Sequence, residues 1–405
     1  MSGADVVDDS SVDDMVITVR VGAPAHGGHC IARHEGRAVF VRHALPGELV
    51  EARVTSGDST ARFWTADAVN VLEASDDRVE SPWSEAGPGG VGGGELGHVA
   101  LPAQREWKLS VVKEAFERFA KLTFDGQVHA APGDDERGGL GYRTRVSAVA
   151  DKQGRAAMTV FGTSDRKRLT AMPLAVPAAE EALLAARATP GTRIEVAVSA
   201  DGRSHVGWAD SGDRSAVIEH VNVAGKDIEF RVRSTDFWQV HRKAPAILAQ
   251  AVLDGIGDAE RVLDLYAGAG LLSVAMASQG RMVTAIELHS GKGRSSLSVN
   301  LAPYETSMEI AGDTRRTLEA MAKDGVLFHD GAIVLDPPRS GAKAATVAAM
   351  AKLQPGRIVY VACDPVALAR DAALLGEHGY TFERADAWDL FPMTHHVETV
   401  ATFVR

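Results

Sequence analysis

Cysteine is scarce in this sequence: the 405-residue chain has two, Cys30 and Cys363. Two thiols cannot form a disulfide framework, and they are too few for an all-cysteine metal or iron–sulfur site, which needs about four thiolates. An isolated cysteine in a globular protein is most often a buried apolar side chain. A chemical role for either residue therefore needs support from the sequence around it.

Long apolar runs and an excess of positive charge are also missing. No stretch reaches the roughly 18 apolar residues of a membrane span, and the acidic first residues lack the basic and apolar parts of a secretory signal. We therefore expect a cytoplasmic protein with no membrane partner. The net charge of −11 argues against an extended, nonspecific nucleic-acid binder, which would have a basic footprint. It is compatible with a local basic groove.

The pattern of apolar residues divides the chain into segments. Residues 1–12 are acidic and polar and predict a disordered tail. Residues 13–74 hold short valine-rich runs separated by glycine turns, which predict a small β-barrel of the OB kind. Residues 75–234 predict an α+β domain with a flexible Gly-rich loop, Ser81–His98. Over residues 235–405 strands and helices alternate, and the apolar strands predict a parallel sheet covered on both faces.

A glycine motif follows the first strand of this last segment. The stretch from Asp264 to Gly270 reads Asp-Leu-Tyr-Ala-Gly-Ala-Gly, and glycines at such a turn let a ligand approach the backbone. Glu287 ends the next strand, at the spacing of an acid that hydrogen-bonds two ribose hydroxyls. The motif predicts a nucleoside cofactor, with a plain strand–helix turn as the alternative. Ser273 stands where a dinucleotide motif has its third glycine.

A proline motif follows a later strand. Asp336 precedes Pro337, Pro338 and Arg339, and two prolines stiffen the loop because they fix φ and remove two backbone donors. Asp336 would then lie at the carboxyl edge of the sheet, where open α/β sheets bind ligands. Together with the glycine motif, this pattern indicates a methyltransferase that uses S-adenosylmethionine. The alternative is a stiffened turn with a capping Asp.

Cys363 stands between a predicted strand and a helix that starts near Pro365. The positive end of a helix lowers a thiol pKa, so we expect this position to favour a thiolate. Glu398 ends the run Asp389-Leu-Phe-Pro-Met-Thr-His-His-Val-Glu, where partial shielding would raise a carboxylate pKa. The alternatives are a buried structural cysteine and an exposed carboxylate on an edge strand.

A thiolate and a base are what methylation of C5 of uracil requires. Addition of the thiolate to C6 turns the ring into an enolate, which makes C5 nucleophilic toward a sulfonium methyl group. A base must then remove the C5 proton so that the thiolate can leave. The sequence therefore predicts Cys363 as the nucleophile and Glu398 as the general base.

These motifs together resemble the RNA 5-methyluridine methyltransferase family, which modifies bacterial tRNA and 23S rRNA. The resemblance covers nearly the whole chain. It implies a class I Rossmann-like methyltransferase domain, a central α+β domain and an N-terminal TRAM-like barrel that binds RNA. It also implies that Gln239, within Phe-Trp-Gln-Val, contacts S-adenosylmethionine. The cofactor-binding residues that we predict are Gln239, Asp264, Tyr266, Gly268, Gly270, Glu287, Asp313 and Asp336.

The chain departs from this family where many members bind an iron–sulfur cluster. Their Cys-Gly-Gly-Cys segment corresponds here to Val91–Gly94, and a later Cys-Pro corresponds to Met172-Pro173. We therefore expect no iron–sulfur cluster and no other metal. Further departures are Ala362, Asp364, Leu271 and Met393, which leave the predicted chemical roles in place.

The predicted partner is RNA, with the target uridine flipped out of a loop into the active site of a monomer. The sequence does not decide between tRNA and 23S rRNA. Two alternatives stay open: a methyltransferase acting on RNA cytosine or a protein amide, and an RNA-binding protein without catalysis. Cytosine enzymes commonly have a cysteine in the proline motif, and Asp336-Pro-Pro-Arg has none.

Overall fold

The computed structural model describes residues 15–58, 60–208, 216–234, 236–288 and 295–405. The tail predicted at residues 1–12 lies outside these residues. The chain forms two compact units. The first contains the described residues of Met1–Trp107 with Met158–Ala171 and Pro392–His395, and the second contains the described residues of Lys108–Ala157, Met172–Phe391 and His396–Arg405. The domain boundaries drawn from the sequence, near residues 74 and 234, stay predictions.

The first unit contains a closed five-stranded barrel in the order β1-β2-β3-β5-β4. Its strands are β1 (Val16–Ala25), β2 (His29–His34), β3 (Arg37–Arg42), β4 (Leu49–Ser56) and β5 (Phe63–Glu73). Alternate residues of β1 are buried, as expected where one face of a strand lines a barrel core. Cys30 is fully buried in β2, and its thiol donates to the Ala44 carbonyl, so this cysteine is structural. The predicted small barrel is confirmed.

The Gly-rich segment Ser81–His98 is packed, which differs from the flexible loop that its composition predicts. A Cβ atom on Gly90 would lie 2.1 Å from the Glu85 carbonyl oxygen. Val91 and Leu96 are fully buried. Glycine is needed here because backbone passes close to backbone, a requirement that composition alone does not distinguish from flexibility.

The remaining elements come from the rest of the chain. Before α3 they are, in order, α1 (Leu101–Ala115), β6 (Val128–Ala130), β7 (Arg145–Ala150), β8 (Ala156–Thr159), β9 (Arg166–Arg168), α2 (Pro177–Ala185), β10 (Arg193–Val198), β11 (Ser204–Trp208), β12 (Ala216–Val223) and β13 (Lys226–Arg233). They continue with α3 (Ala244–Ile256), β14 (Arg261–Leu265), α4 (Leu271–Ser278), β15 (Met282–Glu287), α5 (Ser296–Leu301), β16 (Met308–Ala311), α6 (Thr314–Lys323), β17 (Gly331–Leu335), α7 (Lys343–Lys352), β18 (Arg357–Ala362), α8 (Pro365–Glu377), β19 (Thr381–Asp389) and β20 (Glu398–Val404). Among the described residues, no helix combines the length and apolarity of a membrane span.

The second unit is built on an eight-stranded sheet in the order β16-β15-β14-β17-β18-β20-β19-β6. The first five strands are parallel, and β20 runs antiparallel to both β18 and β19. Strands β14, β17 and β18 contribute buried side chains to two apolar clusters, one on each face of the sheet. The predicted sheet, covered on both faces, is therefore present, with an antiparallel strand inserted near one edge.

A buried ion pair fixes the end of β19. Lys108 on α1 and Asp389, the last residue of β19, form a salt bridge, and their side chains are 0% and 1% exposed. The Lys108 ammonium also donates to the Phe391 carbonyl at 3.1 Å. Removing one partner of such a pair leaves a buried charge without compensation, which costs far more than an exposed pair would.

We expect Lys108→Met to lower the free energy of unfolding by about 3–5 kcal/mol, because Asp389 is left charged and buried. Urea denaturation followed by tryptophan fluorescence measures this. The matched control is Arg315→Met, which breaks the exposed Arg315–Glu319 pair and should cost about 0.5 kcal/mol or less. A Lys108→Met protein as stable as this control would contradict the assignment.

Candidate active site

The parallel strands bring the predicted motifs to one edge of the sheet. Leu265 at the end of β14 pairs with Leu335 at the end of β17, and Leu335 pairs with Tyr360 near the end of β18. The residues that follow these strand ends therefore meet at the carboxyl edge, where open α/β sheets bind ligands. They are Tyr266 with the glycine motif, Asp336 and Cys363.

A cleft opens at this edge beside the glycine motif. Its cavity volume is about 40 Å³, and the space including its open mouth is about 440 Å³. Of the predicted cofactor residues, five line it: Gln239, Asp264, Tyr266, Gly268 and Asp336. Phe237, Trp238 and Leu271 complete part of its wall.

The glycine motif forms a turn that side chains rarely permit. Tyr266, Gly268 and Gly270 all have positive φ, at 63°, 57° and 94°. A Cβ atom on Gly270 would lie 2.9 Å from Leu297 Cδ1, whereas one on Gly268 would meet nothing within 4 Å. Gly270 is thus required by packing, and Gly268 leaves open space at the cleft.

Glu287 reaches the same turn from the end of β15. Its Oε2 accepts the Gly268 N–H at 2.8 Å. The carboxylate is partly exposed, so it can accept further hydrogen bonds from a ligand. This is the geometry that a ribose-binding acid needs beside a glycine turn.

Asp264 is buried at the floor of the cleft, with 1% of its surface exposed. Its Oδ2 accepts a hydrogen bond from the Ser273 hydroxyl, and its Oδ1 has no partner among the described residues. Burial, together with the charges of Asp336 and Glu287, raises its pKa to about 7. The position that breaks the dinucleotide pattern, Ser273, is therefore the partner that holds this carboxyl group.

Asp313 does not line the cleft. It is the exposed N-cap residue of α6, and its side chain accepts the Arg316 N–H at 2.9 Å. The neighbouring Gly312 N–H donates to the Glu287 carbonyl at 2.9 Å, which brings this loop to the same edge of the sheet. Its predicted contact with a cofactor stays a prediction.

Cys363 and Glu398 come from the ends of neighbouring strands. In the antiparallel pairing of β18 with β20, Ala362, the last residue of β18, is opposite Thr399, the second residue of β20. Cys363 follows Ala362 in the chain, and Glu398 precedes Thr399. The charge of Glu398 raises the pKa of the Cys363 thiol, so the two side chains lie near each other.

The surroundings of Cys363 favour the protonated thiol over the thiolate. Burial raises the pKa of its thiol to about 12, and the nearby carboxylates of Glu398, Asp336 and Asp364 contribute in the same direction. Asp364 caps α8, accepting the N–H groups of Val366 and Ala367 at 3.0 and 2.9 Å. The expected thiolate at the helix start is therefore wrong for the protein without ligand, because burial and adjacent negative charge outweigh the helix end.

Glu398 is 3% exposed. Burial raises the pKa of its carboxyl group well above the ordinary value, and Asp336 raises it further. Burial likewise raises the pKa of Asp336 to about 7. The alternative of an exposed carboxylate on an edge strand is excluded, because β20 lies between β18 and β19.

Arg339 is a site residue that our reasoning from the sequence left without a role. Its positive charge lowers the pKa of both Cys363 and Glu398, which places it near both groups. Its guanidinium also donates to His396 Nε2 at 3.1 Å. The signal was present in the sequence, since Arg339 directly follows the two prolines of a rigid loop.

Comparison with known proteins gives the family. A family model described as tRNA (Uracil-5-)-methyltransferase matches residues 195–405, and a TRAM domain model matches residues 15–69. An uncharacterized RNA methyltransferase of Bifidobacterium longum is 36% identical, covering 96% of this chain and 97% of its own length. A second, from Streptomyces coelicolor, is 38% identical, with 95% and 91% covered.

Two further similarities concern characterised activities and fold. The 23S rRNA (uracil(1939)-C(5))-methyltransferase of Shewanella amazonensis is 29% identical, over 96% of this chain and 95% of its own. The solved structure of Pyrococcus abyssi tRNA (uracil-54, C5)-methyltransferase, in complex with S-adenosyl-L-homocysteine, has a TM-score of 0.68 at 18% identity and covers 96% of this chain and 99% of its own. This structural similarity confirms the predicted fold class.

The family model covers more than half of the chain, and relatives more than 30% identical align with almost all of it. With the motifs gathered at one sheet edge and a TRAM domain forming the barrel, the chain belongs to the tRNA (uracil-5-)-methyltransferase family.

Proposed function

We propose that this protein transfers a methyl group from S-adenosylmethionine to C5 of a uridine in RNA, with Cys363 as nucleophile and Glu398 as general base. The observation that carries the proposal is the register of β18 and β20, which brings the end of β18, next to Cys363, beside the start of β20 at Glu398. A thiolate that attacks C6 and a base that deprotonates C5 act on adjacent atoms of one ring, so the mechanism needs these two groups close together.

The cleft residues fit S-adenosylmethionine. Glu287 would bind the ribose hydroxyls beside Gly268, and the partnerless Oδ1 of Asp264 offers an acceptor at the floor. Asp264, Asp336 and Glu398 share this edge, so a cationic ligand is favoured there. The cofactor supplies a methyl group on a positively charged sulfonium.

The chain's own residues account for the remaining chemistry. The Cys363 thiol gives its proton to solvent water, and a bond forms between Sγ and C6 of uracil as the electrons of the C5–C6 double bond move toward C4 and give an enolate. C5 would then take the methyl group as the bond between that methyl and the sulfonium sulfur breaks, leaving a neutral thioether. Glu398 removes the C5 proton, and the electrons of that C–H bond restore the ring double bond as the bond between sulfur and C6 breaks. A raised pKa suits Glu398 to this task, since it makes the carboxylate a stronger base.

The RNA target is the finer part of the proposal. Both 23S rRNA and tRNA are candidates, since similar proteins act on each. We propose that a monomer in the cytoplasm binds a single-stranded loop and flips the uridine into the site, as enzymes that modify bases in folded RNA must. The acidic chain implies that RNA contacts are confined to local basic surfaces.

The direct test is incubation with methyl-labelled S-adenosylmethionine and total RNA from a strain that lacks the gene, followed by nucleoside analysis. We expect label in 5-methyluridine. Label in cytidine, in protein or in no product would refute the proposal. Mapping the labelled position would decide between tRNA and rRNA.

Cys363→Ala should abolish methylation, whereas Glu398→Gln should trap the covalent intermediate. Without a base to remove the C5 proton, the thiolate cannot leave, so methylated RNA stays attached to the protein. Denaturing gel electrophoresis with labelled cofactor detects this adduct.

The chain offers a matched control for the thiol. Cys30→Ala changes the buried cysteine of the barrel. By itself it should leave methylation unchanged, and combined with Glu398→Gln it should leave the adduct unchanged. The double variant Cys363→Ala/Glu398→Gln should give no adduct. An adduct that survives in this double variant would show that the nucleophile is another residue.

Arg339→Met should move the rising limb of the pH–rate profile to higher pH. Arg339 lowers the pKa of Cys363 and Glu398, and both groups react in their deprotonated forms. Removing the guanidinium raises both pKa values, so a higher pH is needed to reach the same rate. The shift of the profile is measured from single-turnover rates at a series of pH values from about 6 to about 10, the range between ordinary His and Lys titration. An unshifted profile, as expected for the control Arg315→Met, would remove Arg339 from the site.

Glu287→Gln should weaken binding of S-adenosylmethionine about 10- to 100-fold, because hydrogen bonds to a charged acceptor contribute about 1.5–3 kcal/mol. Titration calorimetry measures the affinity without RNA. The control Glu305→Gln changes an exposed carboxylate outside the cleft lining. Equal affinities for the two variants would contradict the assigned role of Glu287.

A further inference from the structure

A second opening in the second unit lies on a smaller sheet, in which β10 pairs with β7 and β11. It is a groove of about 1030 Å³, including its open side. Its lining includes three arginines, one histidine, one strand glycine and two tryptophans: Arg143, Arg145, Arg193, His205, Gly207, Trp208 and Trp238. None of these residues belongs to the predicted catalytic or cofactor set.

The strand register explains why this face is polar. Glu195 on β10 pairs with Ser147 on β7 and with Gly207 on β11, so the three lie side by side on one face. Ile194 and Val196, which alternate with Glu195, are buried on the opposite face, where β10 packs against α2. One face of the sheet therefore serves the core, and the other is free to bind.

The groove is rich in arginine although the chain is acidic. Its lining has three guanidinium groups and two carboxylates in a protein of net charge −11. Arg145 is paired with Glu219 at 3.2 Å, and its side chain is 11% exposed. Arg193 pairs with Glu195 at 2.8 Å but keeps 58% of its side chain exposed, and Arg143 is half-buried. Arg143 and Arg193 are therefore the guanidinium groups that can donate to a phosphate at this face.

Gly207 leaves the middle of the groove floor open. It lies inside β11, where glycine weakens a strand and often marks a close approach by a ligand. A Cβ atom added there would meet nothing within 4 Å, and its φ is not in the left-handed region. Neither backbone geometry nor packing therefore requires glycine at this position.

The groove adjoins the cofactor cleft. Phe237 and Trp238 line both openings, and Phe237 is 68% exposed. A strand whose target base reaches the cleft can therefore have its flanking nucleotides at the groove, within the second unit.

We propose that this groove binds the single-stranded RNA that flanks the target uridine, with backbone phosphates at Arg143 and Arg193. The inference rests on the proposed function and specifies which surface selects its RNA. Trp208, partly exposed at the groove, offers a ring on which a flanking base stacks.

Two variants of the full-length protein test the groove. Arg143→Ala/Arg193→Ala removes two cations, with Lys323→Ala/Lys352→Ala as the control of equal charge, since both lysines are exposed on α6 and α7. Gly207→Leu fills the floor without removing any charge. The probe for binding is a fluorescein-labelled 12-nucleotide oligouridylate measured by anisotropy, and the substrate for kinetics is total RNA from the deletion strain.

We expect the double arginine variant to bind the oligonucleotide about tenfold more weakly than the lysine control. The slope of log affinity against log salt should be smaller by about 1.4, because each phosphate contact on a single strand contributes about 0.7. Gly207→Leu should also weaken binding while its thermal midpoint is unchanged or raised. In kinetics, the KM for RNA should rise. The kcat at saturating RNA and the affinity for the cofactor should stay unchanged.

The outcomes separate the groove from the chemistry. If both groove variants methylate RNA with a KM within twofold of the control, the groove proposal is overturned and the proposed function stands. If both variants bind the oligonucleotide more weakly but the unaltered protein methylates no RNA, the groove is supported and the proposed function is refuted. If the unaltered protein neither binds the probe nor methylates RNA, both are overturned.

Discussion

The backbone register between β18 and β20 is the constraint on which the site depends. One residue past the last pair, Ala362 and Thr399, stand Cys363 and Glu398. A slip of one residue would turn every side chain of β20 to the other face. Apolar contacts oppose such a slip, since β20 lies between β18 and β19 and is buried almost throughout. The geometry of the two reactive groups is thus set by core packing along an entire strand.

Unfavourable electrostatics accompany this arrangement. Burial raises the pKa values of three carboxyl groups, Asp264, Asp336 and Glu398, and the charge of Asp336 adds to the effect at Asp264 and Glu398. Burial together with nearby carboxylates also holds Cys363 as a thiol. A cationic group opposes these effects, and Arg339 supplies part of the compensation, since its charge lowers the pKa of both Cys363 and Glu398.

Local sequence patterns predicted the fold well. The barrel followed from alternating short strands, and the sheet followed from apolar runs between helices. Cys363, Asp336 and the glycine motif could be placed because each follows a strand end, and parallel strands bring such ends together. What local pattern could not supply was long-range electrostatics. The raised pKa of Cys363 arises first from burial and then from carboxylates 35 residues later and 27 residues earlier in the chain. The packing of Gly90 arises from a backbone contact.

The position of β20 also orders events during synthesis. This strand is made after β18 and β19, yet it lies between them in the sheet. Strands β18 and β19 must leave room for a segment that has not yet emerged, and long-range pairings of this kind form late. Because β20 begins with Glu398, the pairing that brings this residue beside the end of β18 forms only after β20 has been made.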